Sequence, residues 1–318
     1  MLRYLVRRLM EAVPTTVGIL LLTFVLFNVV AGSPAQTILG KNATAESIAE
    51  FNRKWGYDKP LLIGDGDFFD SQFFSFVGDL CRGDLGYSVE MNAPVSEILA
   101  EGAGPSLSLT VPILIGSVII ALMLAMLSAA YRGKAVDRVI LVGSTLLMSV
   151  NYVIWVLAGQ FFLSYKAELF PVWGYESAFY LVLPVLIGIL SSIGIDVRFF
   201  RTAILDEIYR PYVLTARAKG LSGARVMVCH VLRNALIPIV TYISLSIPYL
   251  FTGSLLLESF FGIPGLGSVS INAIHSADMA VVRSVVVLGA LLYQLVNLAT
   301  DLLYAFLDPR VRLTSPEA

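Results

Sequence analysis

Six stretches free of Asp, Glu, Lys and Arg set the terms on which this chain can fold: residues 12–40, 102–131, 139–165, 177–195, 234–257 and 284–300. A helix needs roughly 20 apolar residues to cross a bilayer, with about 17–25 as the working range. Even the shortest run, 284–300, reaches that length. Composition agrees: 57% of residues are hydrophobic and only 14% charged, against about 25% charged in a soluble domain. So much apolar surface cannot be hidden in one water-facing core. The reading is therefore an all-α membrane protein with about six transmembrane helices. A net charge of −1 carries no general basic character, so no nucleic-acid partner is expected.

Orientation follows from Lys and Arg, which concentrate in short cytoplasmic loops. With the N-terminus inside, the inner segments carry fifteen of the 22 basic residues. Five more lie in one long outer loop, and only Lys166 and Arg283 fall in short outer segments. The expectation is N-in, C-in. Arg3, Arg7 and Arg8 before an apolar run also resemble the start of a signal peptide. The run is longer than a signal core of about 7–15 residues, so it reads as an uncleaved first span. Cys81 and Cys229 then lie on opposite sides of the membrane, and no disulfide is expected.

Three parts follow: a cytoplasmic N-terminus and first span (1–31), an extracytoplasmic loop or cap between the first two spans (32–104), and a core transmembrane domain (105–318). The loop carries eleven acidic and five basic residues. Thr44 is expected to cap a short helix ending at Trp55, and Gly64, Gly66, Gly83 and Gly86 mark turns. Its aromatics, including Phe68, Phe69, Phe73, Phe74 and Phe76, suit packing against span ends or a docking surface in which Asp65, Asp67 and Asp70 steer a partner by charge. Before the last span, Ile263-Pro-Gly-Leu-Gly267 breaks any helix. Residues 259–282 therefore read as an interfacial or re-entrant piece buried against protein.

The longest cytoplasmic loop, 196–233, holds seven basic and three acidic residues. Pro211 suits the first turn of a helix running to Lys219, and Gly220 can end it in the left-handed conformation. A second helix starts near Ala224 and leads into the fifth span. The arrangement is a helix, a glycine turn and a helix projecting from the membrane.

Here a resemblance enters. Thr215-Ala-Arg-Ala-Lys-Gly-Leu221 and His230-Val-Leu-Arg-Asn-Ala-Leu-Ile-Pro238 resemble the coupling loop of peptide-type, binding-protein-dependent ABC importer permeases. Met1-Leu-Arg-Tyr-Leu-Val-Arg-Arg-Leu9, Trp55-Gly-Tyr-Asp-Lys-Pro60, Arg82-Gly-Asp-Leu-Gly86, Phe261-Gly-Ile-Pro-Gly-Leu-Gly267 and Leu307-Asp-Pro-Arg-Val311 are similar to that family's other fingerprints, in the same order. The wider importer pattern has Glu-Ala-Ala where this chain has Leu214, Thr215 and Ala216. The resemblance implies a type I importer permease fold in a bacterial inner membrane. It also implies a homologous second permease, two cytoplasmic ATPase subunits and an extracytoplasmic solute-binding protein. Thr215, Ala216, Arg217, Ala218, Lys219, Gly220 and Leu221 would couple to the ATPases. Peptides are the family's default solute, with nickel or another small solute as the alternative.

What is missing points the same way. No G-x-x-x-x-G-K-[ST] occurs, since Gly40-Lys41-Asn42 and Gly133-Lys134-Ala135 both fail. The chain is not an ATPase itself, and ATP and Mg are expected in the partner subunits, with no cofactor or metal here. No HExxH or GxSxG marks a hydrolase, and His275-Ser-Ala-Asp278 reads as a chance run. The six runs contain no ionisable residue, which argues against a proton- or ion-coupled carrier. Polar residues in the runs serve helix–helix hydrogen bonding or a pathway, and Asn151, Tyr242 and Gln294 are the pathway candidates. A membrane enzyme or a non-transporting scaffold or sensor remain the other function classes.

Overall fold

The computed structural model describes residues 2–30, 35, 39–40, 43–62, 70–88, 90–252, 254–276 and 278–307. The chain is helical apart from one two-stranded hairpin among those residues. Helix α1 (Leu2–Phe24) runs on as a π-helical turn, Val25–Val30. Helices α2 (Ala45–Trp55) and α3 (Gln72–Cys81) belong to the outer loop. Strands β1 (Tyr87–Ser88) and β2 (Ala93–Pro94) pair antiparallel, Tyr87 with Pro94 and Ser88 with Ala93. Then follow α4 (Val95–Ala130), α5 (Ala135–Ser149), α6 (Tyr152–Gly159, with a π-helical end Gln160–Lys166) and α7 (Ala178–Ile208). The last third holds α8 (Pro211–Ala218), α9 (Gly223–Val226), a π-turn Met227–Leu232, α10 (Arg233–Thr252), α11 (Leu255–Phe261), α12 (Leu266–His275) and α13 (Met279–Leu307).

Five helical stretches are long and apolar enough to span: Met10–Asn28, Val95–Ala130, Ala178–Ile208, Gly223–Pro248 and Met279–Thr300. The expected third span is not straight. Ala135–Ser149 and Tyr152–Lys166 meet at 88°. Val150 takes an extended backbone, and Asn151 caps the next helix by accepting the Val153 N–H at 2.9 Å, which interrupts the helical ladder. A second bent pair, Leu255–Phe261 and Leu266–His275, turns through 85°. It sits where the Pro/Gly-rich break was read as a re-entrant piece.

Charge-free runs also misplace several helix ends, because a helix does not stop at its first ionisable residue. Helix α7 continues past Asp196 to Ile208, so the projecting loop begins more than three turns later than 196. Helix α13 starts at Met279 and takes Arg283 into its second turn. The division at 104/105 falls inside α4.

The outer loop is anchored by its aromatics. Thr44 does cap α2, accepting the Ser47 N–H. Phe73 and Phe76 of α3 pack on Phe24 of α1 at centroid distances of 5.4 and 6.2 Å. Lys59 pairs with Asp70 at 2.8 Å. Gly64, Asp65, Gly66, Asp67, Phe68 and Phe69 lie outside the described residues. In Arg82-Gly-Asp-Leu-Gly86, the Asp84 carboxylate accepts the Gly86 N–H at 2.9 Å and turns the chain into β1.

Helices α4 and α7 form the centre. Without a hydrophobic drive between helices in lipid, close packing needs small residues. Ala121, Ala125 and Ala129 of α4 are buried with Ile193, Val197, Phe200 and Ile204 of α7. A Cβ at Gly188 would stand 2.5 Å from Ile113 Cδ1, and one at Gly116 would stand 2.4 Å from Ile189 Cδ1. These two helices therefore pack isoleucines into glycine gaps, and a larger side chain at either glycine would have to displace the facing isoleucine.

Candidate functional site

Three constructions on this frame bear on function: a projecting helix, a groove along the bundle, and a buried carboxylate beneath the bent pair.

The projecting helix α8 starts with Pro211 at its first turn. Val213 and Ala216 are buried, in one cluster with Phe200, Ile204, Val226 and Val231. Leu214, Thr215, Arg217, Ala218, Lys219 and Gly220 are exposed. Gly220 has φ +78°. Its N–H bonds to the Arg217 carbonyl at 2.9 Å and the Leu221 N–H reaches the Ala216 carbonyl at 3.4 Å. This is a Schellman ending, in which the left-handed residue lets the last carbonyls be satisfied. Leu221 folds back on the cluster that holds Ala216. Ser222 then caps α9 by accepting the Arg225 N–H. The helix thus presents Leu214, Thr215, Arg217, Ala218 and Lys219 outward and is fixed to the bundle by Val213 and Ala216 on its other face.

The base of this lever is pinned by charge. Arg201 of α7 makes two bonds of 3.0 Å to Asp137, which also accepts from Ser128 and from the Gly133 N–H. Such a fork-to-carboxylate pair fixes geometry as well as energy. Arg132 lies over the Tyr209 ring, 5.2 Å from its centroid. The Tyr212 hydroxyl donates to Glu207. Burial first, then the bond to the Glu207 carboxylate, raises its pKa above the ordinary phenol value, so it stays a donor at neutral pH.

The groove has a volume of ≈ 400 Å³ and runs between α4, α6, α7, α10 and α11. Its wall mixes hydroxyls with apolar side chains, among them Thr110, Ser117, Ser191, Ser192 and Ser246. Tyr242 lies on it, stacked on Phe199 with ring centroids 4.4 Å apart. Its hydroxyl donates to Asp196 Oδ1 at 2.9 Å. Asn151 is exposed and spends its side chain on capping α6, while its neighbour Tyr152 lines the groove. Gln294 is half-buried on α13, and neither it nor Asn151 is among the lining residues.

Sequence reasoning missed Asp196 and Glu258 because each ended a charge-free run: Asp196 was read as the start of the cytoplasmic loop, and Glu258 fell between the fifth span and the re-entrant piece. For Asp196 a signal existed: Gly188, Ser191, Ser192, Ile195 and Asp196 recur at helical spacing. Glu258 is fully buried. Its Oε1 accepts from the Ser106 hydroxyl and the Ser254 N–H, both at 2.9 Å. Its Oε2 accepts from the N–H groups of Gly267 (2.7 Å) and Ser268 (3.1 Å). Those two N–H groups open α12, where the helix dipole favours negative charge. A Cβ on Gly265 would come within 2.5 Å of Oε2, and one on Gly267 within 2.8 Å. The two glycines in the Ile263–Gly267 break are the space the carboxylate occupies.

Two family descriptions match this chain. The binding-protein-dependent transport system inner membrane component covers residues 91–313. The N-terminal part of such membrane components covers residues 1–110. Among curated proteins, the glutathione transport system permease protein of Salmonella choleraesuis is 32% identical over 315 residues, 98% of this chain and 99% of the relative. The probable peptide ABC transporter permease protein of Sinorhizobium fredii is 31% identical over 317 residues, 97% of this chain and 99% of the relative. The glutathione permease protein of Escherichia coli O6:H1 is 31% identical over 98% of this chain. A groove along a helical bundle, a projecting capped helix and matches along almost the whole chain together make this a member of the binding-protein-dependent transport system inner-membrane components, a multi-pass permease subunit of the bacterial inner membrane.

Proposed function

We propose that this subunit supplies half the membrane pathway of an ATP-driven importer of peptides. The observation that carries the reading is similarity along 97–98% of the chain to permeases named for glutathione and peptides. A second, homologous permease faces the groove and completes the pathway. Two cytoplasmic ATPases, which hold ATP and Mg, grip the exposed face of residues 215–221. A solute-binding protein delivers from the other side. N-in, C-in orientation is supported by the Lys and Arg bias of the short loops.

Coupling would run through packed side chains. Val213 and Ala216 tie α8 to Phe200 and Ile204 of α7, and Tyr242 packs against the same cluster. Closure of the ATPases pulls α8, and the displacement reaches the two helices that carry Asp196 and Tyr242. A rigid helix with a Schellman stop is a suitable handle, because it moves as a body. Reconstitution into proteoliposomes with the partner permease, ATPases and binding protein tests this. Peptide-loaded binding protein should stimulate ATP hydrolysis severalfold and drive peptide uptake. Stimulation by nickel or a sugar but by no peptide would overturn the solute, and ATP hydrolysis unresponsive to any loaded binding protein would overturn the coupling.

A further inference from the structure

Among the described residues, Asp196 is the sole Asp, Glu, Lys, Arg or His on the wall of the groove. It is 7% exposed. No cationic side chain pairs with it among the described residues. Arg201, five residues on, is taken up by Asp137, and Arg198 reaches the Met148 sulfur at 3.9 Å. Its near partners are hydroxyls: Tyr242 on Oδ1 and Ser117 beside the carboxyl. Tyr242 is held in place by Phe199 and Phe200.

An ionisable side chain within a span is expensive and marks a functional site unless a partner explains it. Glu258 is the internal contrast. It meets four donors, two of them at a helix N-terminus, and no space is left beside it. Asp196 is one-sided: its carboxyl lies on the groove wall, with Tyr242 on Oδ1 and no backbone N–H on either oxygen among the bonds of the described residues.

We propose that Asp196 is the pathway's recognition point for a positively charged amino group of the passing solute. Resting on the peptide-import reading above, that group is the free α-ammonium of a peptide. Its N–H donors meet the carboxylate, while Ser192, Ser246 and Thr110 face the neutral remainder. The bond from Tyr242 orients the carboxylate and takes one lone pair. The solute is thereby held by a partial complement of contacts and can be released.

Asp196→Asn tests the assignment, since it keeps the shape and the acceptor for Tyr242 and removes only the charge. The assay is uptake by the reconstituted complex of trialanine and of N-acetyl-trialanine, delivered by a binding protein that calorimetry shows to load both. The variant is expected to lose about tenfold or more of trialanine uptake, the scale of one charge-assisted hydrogen bond. N-acetyl-trialanine uptake and basal ATP hydrolysis should stay within about twofold, and Asp196→Glu should restore part of the difference. Equal loss for the two peptides would make Asp196 a structural tie between α7 and α10 and overturn the proposal, as would unchanged uptake of both. If the parent complex imports neither peptide, the peptide reading itself fails, which is a separate and recognisable result.

Discussion

Replacing Glu258 by Ala should loosen the bent pair. The substitution strands four donors in a site with no solvent access. A buried donor left unpaired costs about 1–3 kcal/mol. The Ser106 hydroxyl can rotate, although the Leu266 N–H still donates to it at 2.7 Å. The N–H groups of Ser254, Gly267 and Ser268 are fixed by the backbone and cannot turn away. Three fixed donors give about 3–9 kcal/mol. Water entering the vacated volume can bridge some of them, so the lower part of that range, about 3–5 kcal/mol, is the working figure, as for other broken buried charge networks. At about 2 °C per kcal/mol for a chain of this size, the melting temperature in detergent should fall by about 6–10 °C. Glu258→Gln keeps one acceptor oxygen and presents an amide NH2 to the remaining donors, so it should fall between parent and Ala. The assay is thermal unfolding of the purified subunit, followed by near-UV signal. An Ala variant melting within about 1 °C of the parent would refute the reasoning and reduce the carboxylate to a bystander.

Three further outcomes are expected. Gly220→Val should insert normally yet lose transport and solute-stimulated ATP hydrolysis, because a β-branched residue is poorly tolerated at φ +78°; a Cβ there meets nothing within 4 Å, so Gly220→Asn should retain much of the activity, and equal loss in both would point to the wrong cause. Arg201→Ala should destabilise by about 3–5 kcal/mol, since it leaves the Asp137 carboxylate, 5% exposed, without its guanidinium; Arg201→Lys should restore only part, having no fork, and thermal unfolding reads both. Cys81 and Cys229 are both exposed and free, so an impermeant thiol reagent applied from outside should label Cys81 alone; labelling of Cys229 in intact cells with a permeabilised outer membrane would invert the proposed topology.

Local chemistry in the sequence determined a good deal. Thr44 as a cap, Pro211 as a helix start and Gly220 as a helix stop are each decided within a few residues, by one side-chain oxygen, one fixed φ and one missing Cβ. Charge-free length decided that the chain crosses a membrane, because hydrocarbon excludes charge whatever the fold around it. The Pro/Gly break before the last span was legible for the same local reason. Tertiary structure alone decided the rest. Asn151 becomes a cap at a right-angle bend only because α6 folds away from α5, so the run 139–165 looked like one span. Asp196 and Glu258 are told apart by what stands opposite them. One faces a groove and the hydroxyl of Tyr242, and the other faces three backbone N–H groups and a serine brought from 152 residues away. A carboxylate at the end of an apolar run looks the same in sequence whether it marks a loop, a staple or a pathway. The physical difference is the partner across the gap, and only packing supplies it.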